Sequence, residues 1–302
     1  MEYRQLGQTK LKVSAIGMGC VTFGREIDRD ASFAVLDHAI SRGITLFDTA
    51  EAYSKGASES VLGDWIDARK VRDKIVLATK VSGKLTQERV TTSAEASLQR
   101  LKTDHIDLFQ LHNWDVQTHL DETLGALEAL VQQGKVRYIG VSNWKTWHLA
   151  KSLIRAARQS AIRFESVQPP YNLVQREIEA DLLPLCIDQQ IGVMSYSPLG
   201  AGFLTGKYSR GGVVPKGTRF DIIPGHQPIY FTEPGFRVLE GLQHISQECN
   251  RSLIDLSIAW VLGTPGITTM LVGARSPSHI DQALHAQQAG MSDELRQRLG
   301  NL

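Results

Sequence analysis

The sequence predicts a (β/α)8 barrel, and three observations carry the prediction. Eight short β-rich runs lie along the 302 residues, stretches of helical spacing separate them, and polar side chains recur at the ends of successive runs. The runs occupy residues 13–19, 44–48, 75–80, 106–112, 138–142, 164–168, 191–197 and 268–273. Several are almost unbroken apolar segments, the pattern of strands buried on both faces of a parallel sheet. Between them, Phe33, Leu36 and Ile40 recur at intervals of three and four. So do Val90, Ala94, Leu98 and Leu101, and again Leu120, Leu124, Leu127 and Val131. Such intervals put the apolar side chains on one helix face. Gly43 and Gly134 stand where a helix must stop before the next strand. Repeated strand–helix units in one chain of this size make a closed barrel the expected α/β architecture.

A doubly wound sheet is the main alternative. Its nucleotide site carries G-x-G-x-x-G after the first strand. Here Gly17-Met18-Gly19 is followed by Cys20-Val21-Thr22, so the third glycine is missing.

Two segments depart from the repeat. Residues 1–12 precede the first barrel strand and read as a hairpin around Gly7-Gln8 that plugs the barrel bottom. Residues 200–235 are rich in Gly, Pro and Lys/Arg and show no clear period. A long loop in a compact domain is usually functional or disordered. Following the seventh strand, it would lie over the active-site face. No linker or low-complexity tract appears, so residues 1–302 read as a single domain.

Composition narrows the function. The formal net charge is +1, with 22% charged and 42% apolar residues, so no global field points to nucleic acid or a membrane surface. No apolar run approaches the roughly 20 residues needed to span a bilayer. The N-terminus lacks an apolar stretch behind a basic one, so no signal peptide is expected. Cys20, Cys186 and Cys249 are few and widely spaced, against a disulfide framework. The expectation is a cytoplasmic protein, monomeric or weakly self-associating. Metal chemistry is not expected, since the nine histidines show no H-E-x-x-H and the cysteines no paired spacing. Gly206-Lys207-Tyr208 lacks the context of a phosphate-binding P-loop, and no G-x-S-x-G is present.

Position is the most informative property of the polar residues. Asp48, Lys80 and His112 end the second, third and fourth runs and stand 32 residues apart. One repeat is about 30 residues, so this spacing predicts equal height in successive strands. Ser142-Asn143, Gln168 and Tyr196 end the next three runs, and Tyr53 lies five residues past Asp48. Each has a structural reading when taken singly. Asp48 suits a turn cap, Tyr53 a core aromatic, Lys80 a solvated strand end, and His112 a core histidine. Together they make an acid–base constellation at the carboxyl ends of the strands, where barrels keep their catalytic groups.

The segments FDTAEAYSKGASESVLG (47–63), LATKV (77–81), LFQLHNWD (108–115), VRYIGVSNW (136–144), VQPPYNL (167–173), VMSYSPLGAGFLTGKY (193–208) and LVGARSP (271–277) occur in this order. In that combination the chain resembles the aldo-keto reductase superfamily from about Leu6 to Ala283. The resemblance implies reduction of an aldehyde or ketone by a nicotinamide cofactor, with Asp48, Tyr53, Lys80 and His112 as the catalytic tetrad. A free tyrosine, with a pKa near 10, is a weak acid at neutral pH, and a lysine ammonium beside it favours the phenolate. Tyr53 would then give the proton, Asp48 would hold Lys80, and His112 would hydrogen-bond the carbonyl oxygen.

The resemblance also implies a cofactor site. Ser142, Asn143 and Gln168 would bond the nicotinamide carboxamide and Tyr196 would stack on its ring. Ser197, Pro198, Leu199, Gly202, Lys207 and Arg219 would surround the pyrophosphate. Cys20, Val21, Asp48, Gly273, His279 and Gln282 complete the implied contacts. Ser276 suits an N-cap and Pro277 the first helical position, so a helix starting there would direct free N–H groups at an anion. Arg275 beside it would read a 2′-phosphate, which favours NADPH over NADH. Departures from relatives fall at His279, Gln282 and Ala283, where many have Gln, then Glu-Asn, and at Cys20-Val21, where they often have Thr and an aromatic. Phe23, Trp114 and Trp144, with Tyr53 and His112, would wall a pocket for an apolar or aromatic small-molecule carbonyl substrate. Two alternatives remain. One is the same chemistry run as an alcohol or sugar dehydrogenase. The other is a cofactor-bound regulatory subunit resembling potassium-channel β subunits, which replace the residue at His112.

Overall fold

The computed structural model describes residues 1–159 and 162–302. Among the described residues there are ten strands: β1 (Tyr3–Gln5), β2 (Lys12–Ser14), β3 (Ile16–Gly19), β4 (Leu46–Asp48), β5 (Val76–Val81), β6 (Ile106–Leu111), β7 (Val136–Ser142), β8 (Phe164–Gln168), β9 (Gly192–Ser195) and β10 (Ile267–Gly273). The last eight form a closed, all-parallel barrel, with β10 returning to pair with both β9 and β3. Helices between the strands coat its outside, as in the (β/α)8 architecture. Among the described residues no helix is long and apolar enough to cross a membrane.

The run at 13–19 turns out to hold two strands. β2 closes the antiparallel hairpin with β1, and β3 opens the barrel. The chain changes partners at Ala15, whose N–H donates to Glu2 O at 2.9 Å. Val13 and Ile16 are both fully buried, so hydrophobicity alone carried no mark of the break. The hairpin does plug the barrel bottom. Leu6, Leu11 and Val13 join one apolar cluster with Leu46, Val76, Leu108, Met194 and Leu271 of the barrel strands. Gly7 makes this approach possible: its φ is +57°, and a Cβ there would stand 2.4 Å from Glu165 O.

The segment after β9 is more structured than its irregular sequence suggests. Helical turns occur at Gly200–Thr205, Arg219–Ile222, Pro224–His226 and Gln227–Tyr230, and the helix Glu233–Cys249 follows. Its aromatics fold on themselves: Tyr208 on Phe220 at 4.9 Å, Phe220 on Phe231 at 5.1 Å, and Phe203 on Phe236 at 5.3 Å. These rings are spaced without helical or strand period, so a periodicity scan passes over a real core cluster.

Candidate active site

The tetrad residues meet at the carboxyl end of the barrel. They are not register partners, however. Asp48 pairs with Ala78, and Lys80 pairs with Gln110. The even spacing in sequence therefore climbs two residues per strand, and strand tilt takes up only part of the climb. The lysine stem reaches back across the rest. Its ammonium donates to Asp48 Oδ2 at 2.5 Å, to Thr49 O at 2.8 Å and to the Tyr53 hydroxyl at 3.4 Å. These three acceptors match the three N–H bonds of an ammonium. Lys80 and Asp48 are fully buried, so the pair persists only because every polar atom is served.

Asp48 is satisfied from the other side by two amides that cross the barrel. Gln168 Nε2 donates to Oδ1 at 2.9 Å and Gln110 Nε2 at 3.1 Å. A carboxylate only accepts, so it turns the NH2 of Gln168 inward and leaves that amide's carbonyl for another partner. Gln110 fits because Gly140 faces it. A Cβ on Gly140 would come within 3.2 Å of Gln110 Cγ and 2.2 Å of Ser166 Oγ.

Tyr53 enters on a strained turn. Ser54 and Lys55 have φ of 51° and 54°. Of the non-glycine residues with positive φ, Lys70, Lys102 and Asn250 are helix C-caps and Gln190 directly follows one. Ser54, Lys55, Asn143, Ser197 and Ala201 instead line the loops at the barrel mouth. Strain gathered at one end of the fold marks a functional site. The Tyr53 ring meets His112 edge-on, with centroids 5.8 Å apart. Burial raises the phenol above its ordinary range; Lys80 opposes this and Asp48 adds to it. Burial works against the Lys80 charge too, but Asp48 and Tyr53 outweigh it and the ammonium is held above its usual range. Burial and the Lys80 charge push His112 down to about 4, so it is neutral at pH 7.

The cofactor candidates line the same rim. Ser142 Oγ donates to Gln168 O at 2.9 Å, Asn143 Nδ2 donates to His112 O at 3.0 Å, and the Tyr196 hydroxyl donates to Asn143 Oδ1 at 2.8 Å. Val21 lies beside Gly273, while Ser197 and Leu199 are half-buried and Pro198 is buried. Lys207 sits over Gly202, and Arg275 donates to Gly217 O at 3.0 Å. Burial, Arg275 and Lys207 together hold His279 below its ordinary range. Its Nδ1 accepts the Arg275 N–H at 3.2 Å. Among the described residues neither Lys207 nor Arg275 has a carboxylate partner. Two unpaired cations beside the amino end of the helix Pro277–Ala289 suit a phosphate-bearing dinucleotide.

At several of the expected positions the structure adds particulars. Ser276 holds the N-cap position but makes no cap bond; its hydroxyl pairs with Ser278. Arg219 is ion-paired with Glu26 at 2.9 Å, which ties the segment after β9 to the loop after β3. Cys20 is fully buried and backs the tetrad, its N–H bonded to Asp48 O at 2.8 Å. Phe23 is likewise fully buried and belongs to the core. Trp144 is largely buried between Trp114 at 4.7 Å and Phe164 at 5.2 Å, and with Trp114 it borders a small cleft that also touches Leu85, Asp115 and Thr118. Trp114 is half-buried and stacks on His148 at 4.1 Å. Ala283 is fully buried, while Gln282 is exposed.

The sequence reading missed Gln110, Ser82, Glu51 and Glu26. A period-2 signal was available for two of them, since Gln110 shares the parity of His112 and Ser82 that of Lys80.

The model of the aldo/keto reductase family matches residues 15–299, nearly the whole chain and all the site residues above. The chain belongs to the aldo-keto reductase family. It is 33% identical to aldo-keto reductase YhdN of Bacillus subtilis, over 93% of this chain and 87% of that one. It is 32% identical to the uncharacterized oxidoreductase YrpG of the same organism, over 100% and 96%. A probable voltage-gated potassium channel subunit beta of Arabidopsis thaliana is 30% identical, over 95% and 91%. Family membership makes this aldo-keto reductase an oxidoreductase of carbonyl compounds that works with a nicotinamide cofactor.

Proposed function

We propose that this aldo-keto reductase reduces aldehydes and ketones to alcohols with NADPH, Tyr53 acting as general acid. The observation that carries the reading is the buried Lys80 ammonium, shared between Asp48 at 2.5 Å and the Tyr53 hydroxyl at 3.4 Å. The nicotinamide supplies hydride, which no side chain can. Tyr53 holds the proton that the developing alkoxide needs, and its raised pKa keeps it protonated at neutral pH. As that proton leaves, the adjacent ammonium stabilises the phenolate left behind. Neutral His112 hydrogen-bonds the carbonyl oxygen and orients it. Gln168, Asn143 and Ser142 bind the carboxamide, and Lys207 and Arg275 bind phosphate. Arg275 favours the 2′-phosphorylated cofactor.

The test is a panel of aldehydes and ketones followed by NADPH absorbance, with alcohol and sugar oxidation by NADP+ as the counter-assay. Tyr53→Phe should lower kcat by about 10²–10⁴-fold while NADPH still quenches tryptophan fluorescence. Full activity in that variant refutes the role of Tyr53. The regulatory-subunit reading draws on the potassium-channel relative. The presence of His112 supports the enzyme instead, and an inert wild-type protein that binds NADPH would reverse that preference.

A further inference from the structure

The His112 ring has one hydrogen-bond partner among the described residues. Ser82 Oγ lies 2.9 Å from its Nδ1. Ser82 directly follows β5, two residues past Lys80 and on the same side of the chain. Its backbone is fixed from below. The Ser82 N–H donates to Glu51 Oε1 at 2.7 Å, and Glu51 is itself held by Arg89 and by Ser93 Oγ at 2.6 Å. Glu51 stands two residues before Tyr53, and its own N–H donates to Lys80 O at 3.3 Å. The segment that presents the phenol therefore also places the partner of the imidazole.

A neutral imidazole carries one N–H, and the nitrogen that bears it is set by the bond at the other nitrogen. Burial and Lys80 keep this ring neutral. With the proton on Nδ1, Ser82 accepts it and Nε2 presents a bare lone pair, which repels a carbonyl oxygen. With the proton on Nε2, Ser82 donates to Nδ1 and the ring has a donor to offer. Only the second arrangement can stabilise charge building on that oxygen.

We propose that Ser82 is a positioning residue that sets the tautomer of His112: its hydroxyl donates to Nδ1 and keeps the proton on Nε2, the nitrogen left for the reacting carbonyl. The choice of tautomer rests on the carbonyl-reduction reading, because the Ser82 hydroxyl can donate or accept, but NMR reads the tautomer independently of activity.

Nitrogen-15 NMR of histidine-labelled protein, with and without NADP+, tests the proposal, and a His112→Gln sample assigns the ring. In wild type, Nε2 should be pyrrole-like and Nδ1 pyridine-like. Ser82→Ala removes a bond of ordinary strength, so the tautomer ratio should shift by about fivefold, and kcat should fall with the fraction of ring protonated on Nε2, by at most about that factor. The Kd for NADPH should stay within about twofold of wild type, because no cofactor contact is removed. Ser82→Thr, which keeps the hydroxyl, should restore both ratio and rate. A wild-type proton on Nδ1 overturns the proposal whether or not Ser82→Ala folds. So does a ratio that Ser82→Ala leaves unchanged. If the tautomer is as stated but the wild-type enzyme reduces no carbonyl, the reductase reading fails and the role of Ser82 in setting the tautomer stands.

Discussion

The two ends of this barrel are built from the same eight strands but obey opposite rules. At the bottom, the β1–β2 hairpin closes the opening with Leu6, Leu11 and Val13, and its buried Thr9 hydroxyl is satisfied inside the hairpin by Leu6 O and the Leu11 N–H. At the top, Asp48 and Lys80 are equally buried yet charged, and they are tolerated only because Gln110, Gln168, Thr49 and Tyr53 serve the remaining polar atoms. An apolar contact can be lost piecemeal, because its energy scales with the area lost. A buried ion pair fails when one member goes, because the other is left uncompensated. The bottom of the barrel is therefore the place for stability and the top the place for chemistry.

The contrast can be broken most directly at Lys80. Lys80→Met keeps the stem and removes the charge, leaving the Asp48 carboxylate buried without its counter-ion. It should cost about 3–5 kcal/mol in urea unfolding and abolish carbonyl reduction together with the stability loss. A variant as stable as wild type would mean that the polar top is not a coupled unit.

Leu6→Ala probes the opposite end. It should destabilise by about 2–5 kcal/mol, yet kcat per folded molecule should match wild type. A fall in kcat at saturating cofactor would show that the plug reaches the chemistry.

Arg275→Ala sharpens the comparison at the rim, where a charge is exposed and each contact acts alone. The Kd for NADPH should rise by about tenfold, as expected for one charged hydrogen bond, with NADH binding little changed. Equal losses for both cofactors would remove the 2′-phosphate contact from the account.

A further contrast concerns pH. His112 titrates at about 4 in the folded protein, against an ordinary 6.5. Between these values the unfolded chain binds the proton and the folded one does not, so this group's contribution to stability falls as pH drops from about 6.5 toward 4. Urea midpoints across that window should fall less steeply in His112→Gln than in wild type. Parallel curves would place the imidazole in a wetter, less charged setting.

The barrel and the polar cluster at its rim were legible because the strands and three of the cluster's residues are periodic. Strands buried on two faces read as apolar runs, and Asp48, Lys80 and His112 recur at one repeat's spacing. Gln110 and Ser82 share those strands and that parity, but a glutamine or serine in an apolar run has no meaning until the group across the barrel is known. Phe23 and Trp144 illustrate the converse. Each stands beside the right segment, yet one lies in the core and the other against Phe164. Which way a loop aromatic faces is decided by the neighbouring loop, and no local spacing records it.

By itself, then, the sequence determined the order of strands and helices, the end of the barrel that carries the polar groups, and the four residue types that could exchange a proton there. Only the tertiary structure decided that Lys80 reaches back two residues to Asp48, that two amides hold that carboxylate, and that Glu26 captures Arg219. The reason is physical. Backbone period and burial are local properties of a chain, whereas the partner of a buried polar atom is chosen by whichever group long-range packing brings within about 3 Å of it.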